Sequence, residues 1–309
     1  MEFQENRYYS YLIKGDLNEA IAYLKQFSDQ KTQHESMTDL FEKEKYLSYG
    51  TEPELEKLLL FYQQYYRDAF YLCIDPQLAE AKLRERLIAF FSITDQEIQL
   101  SDLEEDHVGN AFRRKGFYFQ GGRTGGFLGP YIWKTTETKT YEVELPDGYQ
   151  EYSVNLLDGF IMKSWLDYLS FGKVGTGGWT NGDGIIHCVK ASYDFESEHF
   201  RISLLKHEAQ HVADLELSPH MSSADLEYRA KLVELMYSEE RPLLESFLAE
   251  ADRSDNANGH TAAADRIIEG FSRISKLERD ALSGLAIERV QSIAGILFKE
   301  SNVLLEKGK

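Results

Sequence analysis

Two histidines four residues apart, His207 and His211, and the glutamate directly after the first, Glu208, are the residues of this chain best placed to do chemistry. Positions i and i+4 of an α-helix share one face, so both imidazoles can reach a single tetrahedral metal ion. The carboxylate of Glu208 would then face a water molecule at that metal and can act as a general base. The spacing therefore predicts a zinc (Zn2+) site with His207 and His211 as ligands and Glu208 as a catalytic residue.

The residues around this motif have the pattern of a buried helix. Neither Gly nor Pro occurs between Ser197 and Ser218, and apolar residues flank the histidine stripe at Phe200, Leu204, Leu205 and Val212. An uninterrupted helix with an apolar face would hold the two histidines in fixed register. The alternative is a histidine pair on an exposed helix, with Glu208 simply solvated.

The third ligand must come from elsewhere, because a catalytic zinc usually has three protein ligands and one open position. Glu227 is the first well-placed acid of the next predicted helix, which the preceding serines or Asp225 can cap. Glu234 lies seven residues further on the same face, as an alternative ligand or as an outer partner of a ligand. His220 follows Pro219 at a spacing that does not fit a third histidine ligand, which predicts a loop position. Glu227 is therefore the predicted third ligand.

The stretch from Phe200 to Leu235 resembles the gluzincins, zinc metallopeptidases in which the helix after HExxH donates a glutamate to the metal. Glu227-x-x-Ala230 is similar to the glutamate-x-x-alanine of several gluzincin families, where the small residue lets the two helices approach. Many of those families place Asp or Asn near that alanine to orient a ligand histidine, whereas Lys231 stands here. Asp214 is a candidate substitute for that role, and a solvated acid at the helix end is its alternative interpretation.

The resemblance implies zinc-dependent hydrolysis of a peptide or protein substrate, with the metal held by His207, His211 and Glu227. Zinc in such a site lowers the pKa of a water molecule toward neutrality and polarises the scissile carbonyl. Glu208 would take the proton of that water and deliver it to the leaving amine. The alternative function is a regulatory or partner-binding protein whose zincin-like domain has restricted or no proteolytic activity. A closed metal with four protein ligands would favour binding, and an open position would favour catalysis.

The composition excludes several classes of function. The chain has 309 residues, 42% of them hydrophobic, which is enough for a substantial core and two folded units. Its net charge of −18 argues against nonspecific nucleic-acid binding and against attraction to anionic membranes, since both require basic surfaces. The first residues lack the apolar core of a secretory signal, and no stretch of about twenty apolar residues occurs, so we expect a cytoplasmic protein. Cys73 and Cys188 form no CxxC, which predicts two buried packing residues.

Residues 1–110 have the pattern of a helical bundle that begins with a helical-hairpin-like segment. Amphipathic segments at Thr51 to Tyr71 and Pro76 to Phe91 have prolines near their starts. An aromatic stripe in the first of them is predicted to be core: Tyr62, Tyr65, Tyr66, Phe70 and Tyr71. The glycine-rich run between Gly116 and Pro130 spells no phosphate loop, so we predict a flexible connection and a domain boundary near residues 100–115.

Residues 111–309 are predicted to form a zincin-like domain, which gives an α+β fold class overall. Apolar and polar residues alternate on both sides of Pro146-Asp147-Gly148, which predicts a β-hairpin. Ile185 to Val189 is predicted to form a strand just before the motif helix. A strand in this place can pair with an extended substrate. Trp179 and His187 can contact substrate there, although we expect a structural turn with a packed indole. Two helical stretches, Leu232 to Ala251 and Ala262 to Glu306, flank a polar loop at residues 254–260.

Overall fold

The computed structural model describes residues 2–181, 183–239, 242–251 and 259–307. The chain forms two compact units, and each is built from more than one chain segment. Unit 1 comprises Met1–Thr135 and Asp158–Thr176, and unit 2 comprises Thr136–Leu157 and Gly177–Lys309. The predicted division between residues 110 and 111 falls inside unit 1, because the chain leaves this unit only at Thr135 and returns to it at Asp158. Helices and small sheets together give the mixed architecture expected of an α+β protein.

Unit 1 is mainly helical. Its helices are α1 (Glu5–Ile13), α2 (Leu17–Leu24), α3 (Lys31–Met37), α4 (Pro53–Tyr66), α5 (Pro76–Phe91), α6 (Leu100–Asp102), α7 (Asn110–Arg113) and α8 (Ser164–Leu169). Wider π-helical turns extend three of them, at Thr38–Glu42, Arg67–Tyr71 and Leu103–Gly109. Its strands are β1 (Tyr118–Gln120), β2 (Arg123–Thr124), β3 (Phe127–Leu128), β4 (Tyr131–Trp133) and β7 (Met162–Lys163), and β4 pairs with both β1 and β7.

The start of α5 follows directly from its sequence. Asp75 accepts hydrogen bonds from the backbone N–H groups of Gln77 and Leu78, and Pro76 occupies the first helical turn, where no N–H is needed. The aromatic stripe of α4 and the turn after it forms core as predicted: Tyr62, Tyr65, Tyr66 and Phe70 are buried, and Tyr71 is partly buried. These rings give unit 1 a core of its own.

Two predictions for unit 1 are wrong. The glycine-rich run after Gly116 is an ordered set of strands, because its backbone is tied to the helices: Leu128 N donates to Tyr65 Oη at 3.2 Å, and the buried Glu104 carboxylate accepts from Gly122 N–H. Cys73 is exposed, and it follows the π-helical turn after α4 with a left-handed φ of 51°. Cys188 is buried as predicted.

Unit 2 places a four-stranded sheet beside a group of helices. The strands are β5 (Thr135–Leu145), β6 (Gly148–Asp158), β8 (Gly178–Thr180) and β9 (Ile185–Val189), in the order β5-β6-β9-β8. The hairpin of β5 and β6 confirms the prediction around Pro146, with longer strands. β6 runs parallel to β9, from Ser153 opposite Ile185 to Leu157 opposite Val189, and β8 pairs with β9 in the antiparallel sense.

The helices of unit 2 carry the candidate site. They are α9 (His207–Leu217), α10 (Ser223–Tyr237), α11 (Pro242–Glu250), α12 (Gly259–Ser275) and α13 (Ile287–Lys307), and a π-helical segment, His199–Lys206, leads directly into α9. The two predicted C-terminal helical stretches are therefore each divided in two, because Pro242 opens a new helix and Lys276 adopts a left-handed φ of 63° after α12. Of the polar loop predicted at residues 254–260, residues 254–258 lie outside the described part of the chain.

Close packing brings the edge strand β8 against the motif helix. A Cβ on Gly178 would lie 2.2 Å from Leu204 Cδ1 and 2.8 Å from the carbonyl oxygen of His187. Only glycine lets the backbone approach so closely. Helix α9 consequently packs against both β8 and β9. Within the described ranges, no helix is long and apolar enough to cross a lipid bilayer.

Candidate metal centre

Helices α9 and α10 bring the three predicted ligands together. His207 and His211 lie one turn apart at the start of α9, and their rings are nearly perpendicular with centroids 4.6 Å apart. Glu227 lies in the second turn of α10, which Ser222 caps by accepting a hydrogen bond from Asp225 N. Helix α10 packs against α9, and Ala230, whose side chain is a single carbon, is completely buried. All three candidate ligands are buried.

The donors of these three residues lie close enough together to hold one metal ion. His207 Nε2 lies 3.5 Å from Glu227 Oε2, and His211 Nε2 lies 3.4 Å from Glu227 Oε1. One donor atom from each residue falls within 4.8 Å of the other two. Ligands about 2.0–2.1 Å from zinc at tetrahedral angles are separated by about 3.3–3.4 Å. Two imidazole nitrogens and one carboxylate oxygen are also a donor set that zinc commonly has in proteins.

Glu234 is placed as an outer partner of the site. Its Oε1 lies 2.7 Å from His207 Nδ1, which leaves Nε2 of that ring directed toward Glu227. A carboxylate in this place fixes the ring and its tautomer, and raises the basicity of the nitrogen that faces the metal. Of the two roles predicted for Glu234, the outer partner is the one that this contact supports. His211 has no equivalent, because its buried Nδ1 forms no hydrogen bond with any residue that the structure describes.

Asp214 has neither of the roles predicted for it. Its carboxylate is fully buried, so it is not a solvated acid, and it does not contact His207. Both of its oxygens instead accept from Arg229 Nε on α10, at 2.9 Å each, and Oδ1 also accepts from Gln210 Nε2. Arg229 reaches further, to Ser301 Oγ on α13 at 2.6 Å. This buried pair joins the two helices that carry the ligands.

The electrostatics of the site favour an ionised Glu227. Burial opposes ionisation, but hydrogen bonds from His207, His211 and His260 hold the pKa of Glu227 well below its usual range. Burial likewise lowers the pKa of His207, but the charge of Glu234 and hydrogen bonds to Glu227 and Glu234 outweigh it and raise that pKa to about 10. Glu227 is therefore ionised, which is the form in which a carboxylate binds a divalent cation.

Glu208 differs from the other acids of the site. It is 9% exposed, and its carboxylate forms no hydrogen bond with any residue in the described ranges. It therefore has acceptor capacity left for a substrate or a water molecule. Tyr193 lies within electrostatic range, since burial and the negative charges of Glu208 and Glu234 contribute to raising the pKa of its hydroxyl.

His260 is a residue of the site that the sequence did not reveal. Its Nδ1 lies 2.8 Å from Glu227 Oε2, although 33 residues separate the two along the chain. The side chain is 56% exposed and belongs to the first turn of α12. In the sequence, His260 is only a histidine at the end of a polar loop. That position does not indicate which residue the side chain contacts.

The remaining candidates lie outside the three-ligand cluster. His220 is exposed in the connection between α9 and α10, which confirms the loop position predicted for it. Trp179 and His187 are cross-strand neighbours of β8 and β9, and their rings stack with centroids 5.3 Å apart and planes 16° apart. Burial lowers the pKa of His187. Both residues lie in strands and not in the turn that we expected, whereas their ring contact agrees with the predicted packed indole.

Comparisons of the chain with protein-family models, with curated proteins and with solved structures found no match. The gluzincin resemblance therefore stays a prediction from the sequence between Phe200 and Leu235. What the chain does must be inferred from the geometry of His207, His211, Glu227 and Glu208.

Proposed function

We propose that this protein is a zinc-dependent peptidase that hydrolyses peptide bonds. The observation that carries the proposal is the convergence of His207 Nε2 and His211 Nε2 on the two oxygens of Glu227, at 3.5 and 3.4 Å. Three protein ligands leave a tetrahedral metal with one open position, as a catalytic site needs. Glu208 on the same helix turn supplies the acid–base group.

The ligands hold the metal through two helices. His207 and His211 would bind it by Nε2, and Glu227 would bind it by its carboxylate, which the site keeps ionised. Glu234 holds the ring of His207 through Nδ1. When bound here, zinc supplies Lewis-acid chemistry, lowering the pKa of a water molecule and polarising a carbonyl group.

Glu208 performs the proton transfers. Its carboxylate accepts the proton of the attacking water, and the resulting acid donates that proton to the nitrogen of the leaving amine as the C–N bond breaks. No other described residue occupies its oxygens by hydrogen bonding, which supports this assignment. The substrate class is a peptide or protein in an extended conformation, because β8 is the last strand in the order β5-β6-β9-β8 and packs beside α9, where an extended chain can be added to the sheet.

The proposal is tested with three preparations: wild type, Glu208→Gln and Glu216→Gln. Glu216 is an exposed acid of the same helix and serves as the matched control. Each protein is assayed for bound zinc by elemental mass spectrometry and for cleavage of fluorescein-labelled casein and of a mixed peptide library. We expect about one zinc per chain in all three. Glu208→Gln should lose about a hundredfold to ten-thousandfold of the hydrolysis rate, and Glu216→Gln should lose none.

Two outcomes would overturn the proposal. A wild-type protein that takes up no zinc from a zinc-buffered solution removes the metal site. A Glu208→Gln variant that keeps zinc and full hydrolysis removes the acid–base role. Zinc binding without cleavage of any peptide in the library would favour the regulatory, partner-binding alternative.

A further inference from the structure

A third imidazole reaches the candidate metal centre from outside the HExxH and glutamate helices. His260 Nδ1 lies 2.8 Å from Glu227 Oε2, the distance of a close ion pair, while His207 and His211 approach the same carboxylate at 3.5 and 3.4 Å. The shortest of the three contacts to Glu227 is thus made by a residue that belongs to neither α9 nor α10. Its donor faces a carboxylate that must be held in one orientation to bind a metal.

The position of His260 is fixed by the packing of α12 on α10. Gly259 begins α12 so close to α10 that a Cβ there would lie 2.6 Å from Ser223 Oγ. Ser223 precedes Glu227 by one helical turn, so the start of α12 lies over the face of α10 that carries the ligand. Two turns further on, Arg266 Nη1 donates to Asp225 Oδ1 at 2.7 Å, which fixes the second point of contact.

A cation–π contact strengthens this crossing. The guanidinium carbon of Arg266 lies 4.0 Å from the centroid of the Tyr228 ring. Tyr228 is the residue that follows Glu227 in the sequence. Thr261 and Ala263, which follow His260, are buried. The imidazole therefore has a defined place at the rim of the site, although 56% of its own surface is exposed.

His260 lies next to the coordinating cluster without belonging to it. Among the described residues, the cluster whose donor atoms all lie within 4.8 Å of one another consists of His207, His211 and Glu227. His260 is not a member of this cluster and contacts the carboxylate of Glu227. Its contact is therefore with the ligand and not with the place where the ligands converge.

We propose that His260 is a positioning residue of the metal centre: its imidazole Nδ1, 2.8 Å from Glu227 Oε2, holds this carboxylate in the orientation that binds zinc. The inference rests on the proposed metal site and extends it to α12. The role is the counterpart of the one that Glu234 has toward His207. Both ligand-bearing helices then have an outer contact that orients one ligand, and the loss of such a contact typically costs about tenfold to a hundredfold in metal affinity.

The test measures the zinc dissociation constant of purified full-length protein by competition with a chromophoric chelator. The variants are His260→Ala, which removes the donor, His260→Asn, whose amide N–H lies near the place of Nδ1, and His260→Gln, whose N–H lies near the place of Nε2. His220→Ala, which removes an exposed loop histidine, is the control. We expect His260→Ala and His260→Gln to bind zinc about tenfold to a hundredfold more weakly, and His260→Asn to stay within about threefold of wild type. His220→Ala should not change the affinity.

Rescue by asparagine separates positioning from the other roles. A zinc ligand would be lost in all three His260 variants, so equal losses in His260→Asn and His260→Ala overturn the proposal. Unchanged affinity in His260→Ala overturns it as well, and leaves the metal site itself intact. A wild type that binds no zinc overturns both this proposal and the proposed function. Far-ultraviolet circular dichroism and thermal melting of each variant check that α12 still folds onto α10.

Discussion

Replacing Asp214 by asparagine should destabilise unit 2 severely. Asp214 and Arg229 are both completely buried, and Arg229 is the bulkiest side chain that is buried to this degree among the described residues. Asparagine keeps the shape of the side chain but removes the negative charge. The guanidinium would then be a buried cation whose remaining partners are neutral: Ser301, Asn302 and the ring of Phe298, 4.2 Å below it.

The expected loss of unfolding free energy follows from removing the charge of one partner in a buried ion pair. Such a change costs about 3–5 kcal/mol, because one charge stays buried without compensation. A typical domain has a free energy of unfolding of about 5–15 kcal/mol, so Asp214→Asn would remove a large part of it. Replacing both partners by apolar residues, Asp214→Leu with Arg229→Met, should recover part of the loss. Recovery stays incomplete because the buried Gln210 amide also donates to Asp214.

Hydrogen exchange followed by mass spectrometry suits a chain with two units, since it reports on each segment separately. A loss of about 3–5 kcal/mol corresponds to exchange of α9 and α10 peptides that is roughly a hundredfold to several thousandfold faster. Peptides from α4 and α5 in unit 1 should be unaffected. Glu300→Gln is the control, because its ion pair with Arg273 is half exposed and should contribute little. A loss below about 1 kcal/mol in Asp214→Asn would refute the reasoning.

Three further outcomes are expected. Burial raises the pKa of Glu104 to about 7 from a reference of 4.5, so the folded state binds its proton more tightly, and unit 1 should lose up to about 3 kcal/mol as the pH rises between these values. In Glu104→Gln, the free energy of unfolding measured by denaturant titration should no longer fall with pH over this range. A pH dependence equal to that of wild type would contradict the assignment. Gly178→Ala should cost about 1–3 kcal/mol because its Cβ would collide with Leu204, whereas Gly284→Ala, where no atom lies within 4 Å, should be nearly neutral in thermal melts. Glu234→Ala should weaken zinc binding about tenfold to a hundredfold by freeing His207, and equal affinity in a chelator competition would exclude the outer-partner role.

Local patterns in the sequence predicted much of the site's arrangement. The spacing of His207 and His211 fixes their common face on any helix, and the next predicted helix contained Glu227 at a place where helix α10 could present it. The β5–β6 hairpin followed from alternation around Pro146. These features depend on neighbours within about twenty residues.

Features that depend on distant packing were not predicted. The contact of His260 with Glu227 arises from the crossing of α12 over α10, and no periodicity in either helix encodes that crossing. Asp214 was assigned to the wrong environment, because its partner Arg229 lies on another helix and its burial also depends on α13. The order in the glycine-rich run after Gly116 depends on Tyr65, which lies 63 residues before its partner Leu128 in the chain.

The discontinuous division of the chain has a consequence for synthesis on the ribosome. Translation completes every segment of unit 1 once Thr176 has emerged, but the β5–β6 hairpin of unit 2 is made before that point. Its apolar side chains, among them Val154 and Leu156, must wait for β9 and the helices that cover them. A nascent chain therefore carries an uncovered sheet face while its first unit already folds. Exposed apolar faces of this kind bind chaperones or lead to self-association. A shortened gene that starts at residue 177 would lack this hairpin altogether, leaving β9 without its parallel partner and the HExxH helix without part of the sheet on which it rests.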